Sequence, residues 1–166
     1  KHLPVTTENN QLAGLVTMTD LLQAKQPTAI LQNTETLKST TKEQLPHIKN
    51  ELYATLTTML QQQVPILHTL EVMNTLYDQL IQQCIELSIK EMPTDPPVKF
   101  CFYLMGSGAR KEQFLLTDQD HFLVYEGDTH AQHNDHIATR YFNELSQKIV
   151  TNLELAGYKR CTGDMM

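Results

Sequence analysis

"GSGARKEQFLLTDQDHFLVY", residues 106–125, sets a Gly-Ser turn ahead of an Asp-Gln-Asp triplet, with residues 108–117 between Ser107 and Asp118. The triplet heads the apolar run Phe122 to Tyr125, which reads as a strand. Side chains at i and i+2 of a strand share a face, so Asp118 and Asp120 present both carboxylates on one side while Gln119 points away. His121 falls on the Gln119 side, away from a metal role. Two carboxylates this close repel unless a cation sits between them. Magnesium fits, because it takes hard oxygen ligands and is held by one or two carboxylates together with substrate phosphates. The turn supplies the other half: amides of Gly106, Ser107 and Gly108 at a helix start, with the Ser107 hydroxyl, suit a phosphate, and Arg110 or Lys111 adds positive charge. Glycine permits the close backbone approach that a side chain would block. Together the halves suit a nucleoside triphosphate gripped at its outer phosphates, with the alpha phosphate open to in-line attack and pyrophosphate leaving. Either motif alone is common; their order, strand, Gly-Ser, short helix, then Asp-x-Asp strand, makes the case.

Upstream, "MPTDPP" (Met92 to Pro97) breaks a helix, and Val98 to Met105, apolar on both faces, predicts a buried central strand. A helix of roughly 20 residues follows Thr40, with Leu45, Ile48, Leu52, Leu56 and Met59 on one face and Pro46 tolerated near its first turn. After Pro65 a second stripe, Leu70, Met73, Leu76 or Tyr77, Leu80, Cys84 and Leu87, predicts a helix ending near Lys90. These two helices read as a hairpin or part of a bundle. Downstream, a helix is expected from about His136 to Leu155 with Ile137, Tyr141, Phe142, Leu145, Ile149 and Leu153 inward and Gly157 closing it. At the start of the chain, strands at Leu3 to Thr6 and Leu12 to Thr17 flank a turn at Glu8 to Asn10, and Asp20 is placed to cap a short helix.

The chain has 166 residues, 40% of them apolar, and a net charge of −6. That suffices for a real core, and the basic residues form no stripe, which argues against a DNA-binding surface. Cys84, Cys101 and Cys161 are widely spaced, without CxxC, so neither a disulfide framework nor zinc is expected; Cys84 and Cys101 read as buried thiols. No run reaches the roughly 18 apolar residues of a membrane span, and no signal-peptide pattern opens the chain, so a cytoplasmic location is expected. The start at Lys1 and the stop at Met166 suggest a fragment of a longer protein. His130, His133 and His136 read as surface histidines, and Thr117 as a turn cap.

"MGSGARKEQFLLTDQDHFLVY" after "PP" and an apolar strand resembles the nucleotidyltransferase domain of unknown function found behind CBS domains in bacterial signalling proteins. That domain is a relative of the PII-protein uridylyltransferase and, more distantly, of the polymerase beta superfamily. Gly106, Ser107, Asp118 and Asp120 match the superfamily pattern, and Arg110, Glu112, Gln113, Thr117, Gln119 and "CTGDMM" resemble the narrower signature. Gly108 and Ala109 stand where the family more often has glutamate and glycine. The resemblance implies catalytic and metal-binding aspartates at Asp118 and Asp120, and phosphate contacts at Gly106, Ser107, Gly108, Arg110 and Lys111. It also implies a third carboxylate from a later strand, for which Asp164 is the candidate and Glu112 and Asp128 are weaker ones.

"GLVTMTDLL" resembles the close of a CBS domain, with Thr17 and Asp20 at its nucleotide-contacting positions. The expected architecture is therefore α+β: a CBS remnant at 1–25, a helical hairpin or bundle at 40–92, and a nucleotidyltransferase-like mixed sheet with flanking helices at 96–166. The implied activity is magnesium-dependent transfer of UMP or AMP from ATP or UTP to an acceptor, such as a protein. The implied partners are an upstream CBS module with an adenine nucleotide and a second copy in a homodimer. The rival is a catalytically inactive nucleotide-sensing or protein-interaction module in CBS-linked signal transduction, with Glu112 and Gln113 bracing the turn.

Overall fold

Leu45, Ile48, Leu52, Leu56 and Met59 are the buried residues of a helix, α1 (Leu45–Gln61), in a computed structural model that describes residues 2–17, 36–127 and 135–160. A 3₁₀ turn, Lys42–Gln44, leads into it, and the Gln44 side-chain oxygen accepts the Thr41 backbone N–H at 2.8 Å, closing a capping box. Pro46 lies in the first turn, where its missing N–H costs nothing. The chain divides into two units, Lys1–Asn33 and Thr34–Met166.

In the first unit, β1 (His2–Thr6) pairs antiparallel with β2 (Leu12–Thr17), with a bulge between Val5 and Thr6. The link closes through Thr7 N–H to Gln11 O at 2.9 Å, with Asn10 in the left-handed region at φ 58°. Leu3, Val5, Leu12 and Leu15 are exposed within this hairpin. The helix cap expected at Asp20 lies outside the described residues.

In the second unit, α2 (Ile66–Lys90) packs against α1 on one side and against a later helix, α4 (Asp135–Leu155), on the other. Two partners widen its buried surface beyond a single stripe. Leu70 and Leu87, expected inside, are half-buried, whereas Val72, Asn74, Ile81, Gln83 and Ser88 are buried. On α4, Tyr141, Phe142, Leu145, Ile149 and Leu153 face inward as the period requires, but Ile137 is 62% exposed while its neighbour Ala138 is buried, so the inward face of the first turn is carried by Ala138. Gly157, at φ 105°, ends α4. Tyr158 N–H bonds Leu153 O and Gly157 N–H bonds Glu154 O, both at 3.0 Å, which is a Schellman close.

β3 (Phe100–Leu104) pairs antiparallel with β4 (His121–Tyr125), Leu104 opposite His121 and Phe100 opposite Tyr125. Phe142 of α4 joins this ribbon to the helices, stacked on Tyr125 at 4.5 Å and tilted against Phe100 at 5.4 Å. Burial of one such ring contributes about 1.5–3 kcal/mol. β3 is not the buried central strand its composition suggests. Its inner face turns to α4, but Cys101 and Tyr103 are exposed on the other face, where Tyr103 stacks on Phe122 at 5.1 Å. Cys84 is buried, as expected of a structural thiol, whereas Cys101 is exposed because it alternates onto that outer face. The architecture is α+β, with two small antiparallel two-stranded sheets among the described residues. No helix among them is long and apolar enough to cross a membrane.

Candidate functional site

The antiparallel register of β3 and β4 brings the two motifs to one end of the ribbon. β3 runs out through Met105 into a four-residue helix, α3 (Gly106–Ala109), and β4 is entered from Asp120. Met105 N–H donates to Asp120 O at 2.8 Å, extending the ladder one step beyond the strands. Gly106 is therefore seated against the Asp120 side chain. It adopts φ 57°, and a β-carbon placed there would lie 2.8 Å from Asp120 Oδ2. Two reasons thus converge on glycine at one position: the left-handed backbone and the space taken by the carboxylate.

The Asp-Gln-Asp triplet precedes β4 rather than forming its first residues, which shortens the expected strand from Asp118–Tyr125 to His121–Tyr125. Its partner is the segment after α4: Gln119 N–H donates to Lys159 O and Lys159 N–H to Thr117 O, both at 3.0 Å, in a parallel bridge. The alternation still holds. Asp118 and Asp120 are exposed, while Gln119 and His121 are buried. Burial pushes the His121 imidazole below its ordinary value, partly opposed by the Asp120 charge, and its ring lies 4.6 Å from Phe102. Gln119 Nε2 donates to Val150 O at 3.3 Å. Gln119 Oε1 and the Tyr158 hydroxyl, both buried, have no partner among the described residues, and both residues line a cleft that also reaches Ser107, Asp118 and Asp120.

The two cations of the turn are both engaged. Arg110 Nε lies 2.9 Å from Glu112 Oε2, with both side chains largely exposed, and Lys111 pairs with Asp78 of α2. Such exposed pairs are worth about 0–1 kcal/mol, so either cation is cheaply released to an anion. Lys111 also takes a left-handed backbone, φ 57°, where the chain leaves α3. Gln113 is buried. Its side chain donates to the Thr117 hydroxyl at 2.9 Å, and its Oε1 lies 3.8 Å from where a β-carbon on Gly108 would be. Glu112, by contrast, sits at the surface on Arg110.

The loop between the motifs rests on the helices through Tyr77, expected only as a core residue, and through Tyr53 and Asn74, which sequence reading passed over. Tyr77 OH donates to Phe114 O at 2.7 Å, and Leu116 N–H donates to Tyr53 OH at 3.1 Å. Asn74 accepts from Gln113 N–H and donates to Gln113 O, each at 3.3 Å. The available signal was a polar residue, Asn74, directly beside Met73 on an otherwise apolar stripe, since a buried amide demands partners.

For magnesium, the residues present offer two exposed carboxylates, Asp118 and Asp120, the second packed against Gly106, a donor set that suits a hard cation completing its shell with water and phosphate. Among the described residues no group of three or more His, Cys, Asp and Glu could hold a metal. Asp128, Asp164, His130 and His133 lie outside the described residues; His136 is exposed.

A family match associates the chain with the nucleotidyltransferase superfamily. It belongs to the family described as "Putative nucleotidyltransferase DUF294", whose model matches residues 50–166. The match takes in α1 from Asn50 onward as well as the ribbon, so the helices are part of the family unit. No curated protein and no solved structure matches the chain.

Proposed function

We propose that the site is that of a magnesium-dependent nucleotidyltransferase moving UMP or AMP from UTP or ATP to an acceptor, with a protein side chain as the acceptor class. The observation that carries this reading is the packing of Gly106 against Asp120, which brings the Gly-Ser turn and the Asp-x-Asp carboxylates to one end of the ribbon. Gly106, Ser107 and Gly108 offer the first-turn amides of α3, which have no intrahelical partner, to the outer phosphates. Arg110 and Lys111 leave Glu112 and Asp78 to reach the same oxygens. Asp118 and Asp120 would hold the cation, which would supply charge neutralisation at the transferring phosphate. In the step itself the acceptor hydroxyl oxygen bonds the alpha phosphorus, its proton passes to solvent, the bond to the bridging oxygen breaks, and pyrophosphate leaves with the electron pair. The unpartnered Gln119 and Tyr158 oxygens favour a hydrogen-bonding occupant of the adjoining cleft. The parallel bridge at Asp118 and Lys159 is where the expected mixed sheet would extend. The hairpin of the first unit is taken as the remnant of a CBS domain whose partner half senses an adenine nucleotide, in a homodimer.

A second reading, nucleotide binding without transfer, is supported by the lack, among the described residues, of a third metal-ligating side chain grouped with Asp118 and Asp120. Calorimetric titration of ATP and UTP, with and without magnesium, tests both. Metal-dependent binding lost in Asp118→Asn supports the site, and release of pyrophosphate then separates enzyme from sensor. Binding that is indifferent to magnesium and to Asp118 would refute both readings.

A further inference from the structure

The loop that joins the two halves of the site has little structure of its own. From Gln113 to Leu116 its hydrogen bonds go to side chains of α1 and α2: Gln113 to Asn74, Phe114 to Tyr77, Leu116 to Tyr53. Asn74 differs from the two tyrosines. Its amide takes both backbone groups of one residue, as a neighbouring strand would, and Nδ2 is anchored in turn on Leu70 O at 2.6 Å, so its orientation is fixed by its own helix. The residue it grips has its side chain between the turn and Thr117, the residue just ahead of the triplet. Gln113 lies against Gly108 of the turn and donates to Thr117, whose backbone joins the bridge that sets Gln119.

We infer that Asn74 is a positioning residue that sets, through Gln113, the spacing between the Gly106–Gly108 turn and the Asp118 and Asp120 pair, making α2 an input to the site. A displacement of α2 along or about its axis moves Asn74, and with it Gln113. The turn and the triplet are then displaced together, because one buried side chain lies beside Gly108 in the cleft and is hydrogen-bonded to Thr117, the residue next to Asp118. The route runs through the Asn74 bonds to Gln113 and the Gln113 bond to Thr117, which is covalently next to Asp118. Its consequence for ligand affinity rests on the nucleotide reading above; its consequence for the loop does not.

Residue-resolved hydrogen exchange on the full chain tests it, comparing wild type with Asn74→Ser, which removes the two-point grip, and Gln113→Leu, which keeps that grip and removes only the side-chain bond to Thr117. Exchange at the Ala109 and Gln119 amides is expected to rise about tenfold in both variants, with the interior amides of α2 changed less than about twofold. Faster exchange confined to Gln113, with Ala109 and Gln119 unchanged, overturns the inference. Should Asn74→Ser not fold, Gln113→Leu decides by the same two amides. Titration of magnesium with ATP or UTP into the same variants should show about tenfold weaker binding at unchanged stoichiometry. Unchanged affinity in variants with a loosened Ala109 and Gln119 would overturn the link to ligand. Were wild type to bind neither nucleotide, the nucleotide reading would fall while the exchange pattern still decided the coupling.

Discussion

Gly106 and Asp120, on different sides of the ribbon's end, are packed so that the carboxylate oxygen of one occupies the place a side chain would take on the other. This approach, beside the Met105 N–H to Asp120 O bond at 2.8 Å, makes Gly106 the least replaceable glycine of the site.

Gly106→Ala is accordingly expected to cost about 1–2 kcal/mol from the left-handed backbone alone, with displacement of Asp120 in addition. Gly108→Ala is the control. Its β-carbon would meet nothing nearer than 3.8 Å, and its backbone is not left-handed, so stability should hold or rise by about 0.5–1 kcal/mol. Chemical denaturation of the two variants checks the contrast; equal losses would mean that the Gly106 approach to Asp120 is not what matters.

The pH dependence follows from His121. Its folded-state pKa lies below its unfolded value because burial disfavours the imidazolium. The unfolded chain therefore binds the proton first, and the stability of the neutral imidazole is present above the ordinary value of 6.5 and lost as pH falls below it. Melting temperature should drop between pH 7.5 and 5.5 in wild type and drop less in His121→Phe, which keeps the ring against Phe102. Parallel curves would assign the acid sensitivity to another group.

The thiols should separate cleanly. Burial pushes Cys84 up to about 12, which leaves almost no thiolate at neutral pH, and its sulfur is enclosed, whereas Cys101 stands on the exposed face of β3. Peptide mapping after brief iodoacetamide treatment should find Cys101 alkylated in the native protein and Cys84 only after denaturation.

Gly157→Ala should destabilise by about 1–2 kcal/mol or more. The residue sits at φ 105°, and a β-carbon would come within 2.7 Å of Lys49 Cδ and 3.2 Å of Lys49 Cβ on α1. The far end of Lys49 can swing away, but its Cβ cannot. Relief in Lys49→Ala/Gly157→Ala relative to the single glycine variant would measure the steric part; no relief would leave the backbone as the whole cause.

Periodicity alone identified α1 with its five buried residues, the extent of α2 and α4, the glycine close at Gly157, and the alternation that exposes Asp118 and Asp120 while burying Gln119. These are local properties: 3.6 and 2 residue repeats and a left-handed cap are written into consecutive residues and do not depend on what packs against them. The tertiary structure decided what surrounds each face. It exposed Cys101 and Tyr103 on a strand that reads as buried, exposed Ile137, and placed Asn74 and Tyr77 under the loop. It also decided that Gly106 meets Asp120, because the register of β3 on β4, set by side chains on both strands and by Phe142 behind them, is a relation between distant residues that no short stretch contains.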